Sequence, residues 1–144
     1  MNLVHKLFFT AFLAAFVIAS VAQDQKTEIK HAPAPATSPA SGQEMFMNYC
    51  ASCHGKDAKG NGPAAAALNV APADLTSLAK KNGGKFPDMR VTSVLRGQAS
   101  VAAHGNQEMP VWGPIFWRMS QGHPVEVQQR IANLSSYIKS LQEK

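Results

Sequence analysis

Cysteine is scarce in this 144-residue chain: there are two, and neither stands beside Ser20, Val21 and Ala22, which excludes a lipoprotein anchor at that point. Long apolar runs are equally rare. The uncharged stretch from Leu7 to Ala22 is sixteen residues long, short for a bilayer-spanning helix. Dense Lys and Arg runs are missing too: 14 basic and 9 acidic side chains give a formal charge of +5, a balance too mild for a nucleic-acid binder. No stretch of alternating apolar and polar residues is long enough to form a sheet, and no internal repeat recurs. No nucleophile triad, paired-carboxylate site or phosphate loop stands out, and Gly60 to Gly62 is only a short GxG. What these absences leave is an all-α chain with long connecting loops.

Three zones are legible along it. Met1 to Ala22 combines Lys6 with the apolar run and small residues at its end, the pattern of a signal peptide cleaved near Gln23. Residues 23–41 turn to Ala, Pro, Ser, Thr and Lys, with Ile29 as the one large aliphatic side chain. Such a composition buries too little apolar surface to offset its ordering entropy, so a disordered linker is expected. It is either an idle tail or, if the leader is retained, a membrane tether. Residues 42–144 form a 103-residue stretch that suits one domain with one core.

The two cysteines belong to a pentad, Cys50-Ala51-Ser52-Cys53-His54. Thiols three positions apart lie on one side of a helical turn, so both reach one edge of a porphyrin and add to its vinyl groups. His54 then faces the iron with an imidazole nitrogen, making Cys50, Cys53 and His54 the candidate attachment and proximal-ligand set for one covalent haem c. Three other readings remain open. Zinc would need four nitrogen or sulfur ligands, and His5, His31, His104 and His123 are not paired at ligand spacing. A thioredoxin-like site would need a βαβ frame. A structural disulfide across so short a loop would restrain little of the unfolded chain. Haem alone uses the adjacent histidine. A haem and an export signal also agree on an extracytoplasmic compartment.

The spacing predicts a first helix from Gly42 into the pentad, through Met45, Phe46 and Tyr49. A last helix starts at Pro124, after Gly122 and His123, with Val127, Ile131, Leu134, Ile138 and Leu141 as its buried stripe. Between them, Pro63 to Leu68 reads as a short helix, Asp74 caps a second carrying Leu75 and Leu78, and Asp88 caps a third that Gly97 ends. Gly- and Pro-rich loops are expected from Gly55 to Pro63 and around Met109 to Pro114. Among the methionines, Met45 and Met47 precede the first cysteine, Met89 and Met119 fall in helical runs as core filler, and Met109 lies in a loop 55 residues beyond His54. That length is enough to reach the opposite haem face, which makes Met109 the candidate second axial ligand.

With Met109-Pro110-Val111-Trp112-Gly113 in place, the stretch from Gly42 to Lys144 resembles class I cytochrome c, in particular small bacterial single-haem members. The resemblance implies an all-α cytochrome c fold, about four to five short helices wrapped around one haem. It implies that Gly42 and Phe46 pack against Leu134 and Tyr137 of the last helix. It implies further that the Pro63 carbonyl accepts the second imidazole proton of His54, and that Trp112 lies near a haem propionate, a packed core residue being the alternative. Arg96 is a second propionate candidate or a surface residue. His104, five residues before Met109, is the departure from pattern: as a ligand it would give bis-histidine iron of lower potential.

The function implied is one-electron transfer rather than enzymatic turnover, with redox proteins or membrane respiratory complexes as transiently docked partners. The molecule is expected to be a periplasmic monomer that meets a membrane only if the leader stays attached. Lys80, Lys81 and Lys85 are a solvated face or a docking patch for an acidic partner. A haem subunit of a larger oxidoreductase is the alternative, followed by a peroxidase or ligand sensor with a labile methionine.

Overall fold

A computed structural model of the chain describes residues 34–99 and 110–143. The expected signal segment, most of the expected linker, His104 and Met109 lie outside the described residues.

Within them the secondary structure is helical: α1 Gly42–Tyr49, α2 Ala51–His54, α3 Leu78–Lys81, α4 Asp88–Arg96, α5 Trp112–Met119 and α6 Pro124–Ser140, with single 3₁₀ turns at Ala65–Ala67 and Leu75–Ser77. This is the all-α class. Local chemistry sets the ends. Ser41 accepts the Glu44 N–H at 3.1 Å through Oγ, which meets one unpaired donor of the first turn of α1, while the Glu44 carboxylate reaches back to the Ser38 N–H at 3.2 Å. Pro124 opens α6 where no intrahelical acceptor exists for its missing N–H, and Gly97 ends α4 in the left-handed region at φ 76°.

The core forms where α1 crosses α6. A Cβ placed on Gly42 would overlap the Asn133 carbonyl oxygen, so glycine is what lets the two backbones meet. Next to that contact the Phe46 and Tyr137 rings lie 5.4 Å apart, and Met45, Ile131 and Leu134 are sealed from solvent. The stripe expected on α6 is buried at Val127, Ile131, Leu134 and Ile138.

Four expectations need correction. Pro63 to Leu68 holds only one 3₁₀ turn, because the backbone there is spent on α2: Gly62 N–H donates to the Cys53 carbonyl at 3.0 Å and Ala64 N–H to that of Ser52 at 2.9 Å. Asp88 is the first helical residue of α4, not its cap, and its carboxylate holds Lys139 Nζ at 3.1 Å instead. Met89 is 85% exposed rather than core filler. The expected loop from Met109 to Pro114 gives way to α5, which starts at Trp112. Gly113 and Pro114 read as breakers, yet in a first turn neither residue's N–H is required, and Gly113 lets α5 approach the Arg96 carbonyl at the end of α4.

The expected linker also runs too far. Thr37 is buried, and the Pro39 carbonyl accepts from Asn133 Nδ2 at 2.9 Å, so the last residues before Gly42 are part of the folded unit. Their backbone carbonyls find partners on α6, which composition does not reveal.

Candidate haem site

Cys50 sits at the junction of α1 and α2, and Cys53 and His54 belong to α2 itself. The junction is nearly seamless: Cys50 N–H donates to the Phe46 carbonyl at 2.9 Å and the Cys50 carbonyl accepts from His54 at 2.8 Å. One continuous helical path therefore presents both sulfurs and the imidazole to a single cavity of about 320 Å³. That volume falls in the range of roughly 300–1,000 Å³ usual for cofactor sites. Its walls come from Tyr49, from the 68–78 stretch, from Val91 and Leu95 of α4, and from Trp112, with Pro110 at the edge of the described segment.

The imidazole is held firmly. His54 is buried, and its Nδ1 lies 2.9 Å from the Ala73 carbonyl oxygen. A carbonyl only accepts, so the proton sits on Nδ1 and the ring lone pair on Nε2. Burial lowers the His54 pKa, opposed in smaller part by that hydrogen bond, which keeps the ring in the neutral form that binds metal. Burial, with a lesser contribution from Cys53, pushes the Cys50 thiol up to about 12. This environment favours uncharged sulfur, as in a thioether, and disfavours the thiolate that zinc demands. Among the described residues no cluster of three or more His, Cys, Asp or Glu assembles that could hold a metal, so the zinc reading gains no ligand set there. Two sulfurs on one helical path, one neutral imidazole and largely apolar walls together suit a covalently held iron porphyrin.

The oxygen that orients His54 corrects the sequence reading. Pro63 was expected to supply it, but Pro63 is exposed, its segment being drawn onto α2 by Gly62 and Ala64. Ala73 supplies it because Leu75 N–H donates to the Ala58 carbonyl at 2.8 Å, drawing the 72–75 stretch across the ring. Gly60 assists: a Cβ there would overlap the Pro72 carbonyl. A backbone acceptor has no side-chain signature, so nothing in the sequence marks Ala73.

Trp112 is buried, lines the cavity and stacks on Tyr49 at 5.0 Å between ring centroids. Phe116 packs behind Trp112 in the core, its ring 5.6 Å away. Arg96 donates to Gln128 Oε1 at 2.7 Å on the exposed surface, which favours the surface reading of that residue. Sequence reasoning missed Gln142. Its side chain accepts from Ala79 N–H at 2.8 Å and donates to the Leu75 carbonyl at 2.7 Å, pinning the cavity wall that follows Ala73 to the end of the chain. Polarity near a C-terminus gave no hint of this role.

A family model for Cytochrome c matches residues 39–142. A subunit of an oxidase is also similar: the Cbb3-type cytochrome c oxidase subunit CcoP of Rhodobacter capsulatus is 29% identical over 114 residues, which cover 79% of this chain and 33% of that one. The match thus spans about a third of that relative's length. No solved structure matches. Among the described residues, no helix is long and apolar enough to cross a membrane.

Proposed function

Because the chain belongs to the cytochrome c family and carries covalently attached haem c, we propose that it is a one-electron carrier in which His54 and Met109 occupy the two axial positions of the iron. The haem supplies the ferric and ferrous states; the polypeptide holds, orients and tunes it. Cys50 and Cys53 fix one porphyrin edge. The observation that carries this reading is the His54 ring, kept neutral by burial and aimed by the Ala73 carbonyl in the same cavity as both sulfurs. Support for Met109 is its position directly before Pro110, which borders that cavity. Trp112 is proposed as a wall residue at the propionate end of the site.

Two filled axial positions leave no site for substrate, so electrons pass at the haem edge during brief docking to larger redox proteins. Export through residues 1–22 and action outside the cytoplasm belong to this proposal.

Mass spectrometry of protein made with haem-attachment machinery reports the haem adduct on both cysteines and the mature start together. The oxidised wild type should show a sulfur-to-iron charge-transfer band that Met109→Ala abolishes. A band that survives rejects Met109 as ligand, and His104→Ala then tests the imidazole alternative. A second reading, a haem subunit fixed to an oxidase, is favoured by the similarity to a subunit of that description. Co-purification with a large partner under mild extraction distinguishes it from the freely diffusing carrier.

A further inference from the structure

The residues just ahead of α1 bear on the site through a buried polar chain that electron carriage itself does not require. Arg130 of α6 is 5% exposed, and its Nη1 donates to both the carbonyl (3.0 Å) and the hydroxyl (3.2 Å) of Thr37. Tyr49 Oη donates its single proton to the Pro35 carbonyl at 2.7 Å. The 2.7 Å contact between Thr37 Oγ1 and Tyr49 Oη therefore has threonine as donor. The bonds run in one direction, from Arg130 to Thr37 to Tyr49 to Pro35, an order in which each bond polarises the next. At the other end Glu126 Oε1 accepts from Arg130 Nη2 at 2.9 Å, and Ser120 Oγ accepts from Nε at 3.2 Å. Tyr49 directly precedes Cys50, and its ring is the cavity wall stacked on Trp112.

A buried guanidinium is costly unless every donor is met, and here Thr37, ahead of α1, meets part of that need. If residues 35–39 lift away, Nη1 loses Thr37, the Tyr49 hydroxyl loses two partners, and water gains a route to the wall. We propose that Arg130 is a positioning residue for the haem cavity, acting through Thr37 and Tyr49, so that docking of residues 35–39 and the reduction potential of the iron are coupled. The proposal rests on the haem reading above. The sign is set by charge: water admitted near the iron, or loss of the Arg130 cation, favours ferric iron over ferrous and lowers the potential.

The test uses the full chain with haem attachment verified by mass. Thr37→Val removes one hydroxyl at constant shape, and Thr37→Ser keeps it. In redox titrations, Thr37→Val and Arg130→Met should lower the ferrous-to-ferric ratio at a fixed ambient potential at least about three-fold, which is about 28 mV at 59 mV per decade for one electron. Thr37→Ser should match wild type. Hydrogen exchange of amides in residues 36–41 should quicken in Thr37→Val and stay slow in Thr37→Ser. If Arg130→Met does not fold, the threonine pair decides. A haem-bearing Thr37→Val protein whose amides exchange faster at an unchanged potential overturns the coupling, leaving the segment merely structural. Unchanged exchange with unchanged potential overturns it as well. Wild type without a haem adduct would instead sink the haem reading.

Discussion

A single backbone oxygen decides how His54 stands. Ala73 fixes the imidazole tautomer, and the next residue fixes Ala73: Asp74 Oδ1 accepts from the Thr76 N–H at 2.8 Å and from its hydroxyl at 2.6 Å, opening the 3₁₀ turn that shapes the wall. These bonds, the hydroxyl first, lower the Asp74 pKa. A carboxyl whose folded pKa lies below its unfolded value binds fewer protons folded than unfolded. Its contribution to stability is therefore complete above the ordinary value of about 3.9 and is lost as pH falls through the lowered one. Asp74→Ala should lower stability by about 1 kcal/mol at neutral pH in denaturant titrations and flatten the acid limb of the stability curve. An unchanged acid limb would show that the carboxylate is idle. Asp74 was readable in advance as a cap because such chemistry is local, whereas the acceptor one residue earlier was not.

Helices meet here through glycines as much as through apolar stripes. At Gly42 the Asn133 carbonyl occupies the place of a side chain, with the Tyr137 Cβ close behind. Backbone cannot yield as a flexible side chain does, so Gly42→Ala should cost about 1–3 kcal/mol by overpacking, read as a lower denaturant midpoint at constant slope. An exposed change such as Gly83→Ala has open space around it but sits at φ 64°, so its smaller penalty comes from the backbone alone. The α1 and α6 stripes were legible because their periodicity is 3.6 residues. Helix α5 was hidden because Gly113 and Pro114 break helices everywhere except in the first turn, and only the position of Arg96 reveals that they stand there.

Across the whole molecule, the cavity and the core are one structure. Tyr49 and Trp112 form the wall and, with Phe116 packed behind them, belong to the hydrophobic cluster, so the cofactor completes the interior of a domain near 100 residues. A Cys50→Ala/Cys53→Ala double variant, made without haem, should keep much of its far-UV helical signal while losing near-UV dichroism from these stacked rings. Near-UV bands equal to those of the haem-bearing protein would show that the core closes without the cofactor. The wall is further tied to both chain ends of the described fold, through Thr37 on one side and Gln142 on the other. Neither tie follows from composition, since a Pro- and Ala-rich approach and a polar C-terminus look unstructured until Arg130 of α6 meets the first and the backbone of Leu75 and Ala79 meets the second.

The amino-acid order by itself determined the helical class, the first and last helices, and the pentad that carries haem, because capping, period and covalent spacing operate within a few residues; the glycine contact between those helices was implied by the family resemblance. Tertiary structure alone decided that Ala73 rather than Pro63 orients the imidazole, that α5 exists, and that residues 35–41 join the domain. The first and last depend on backbone carbonyls meeting donors 14 to 94 positions away, and α5 depends on Gly113 clearing the Arg96 carbonyl; a carbonyl is common to every residue, so no side chain announces where it will be used.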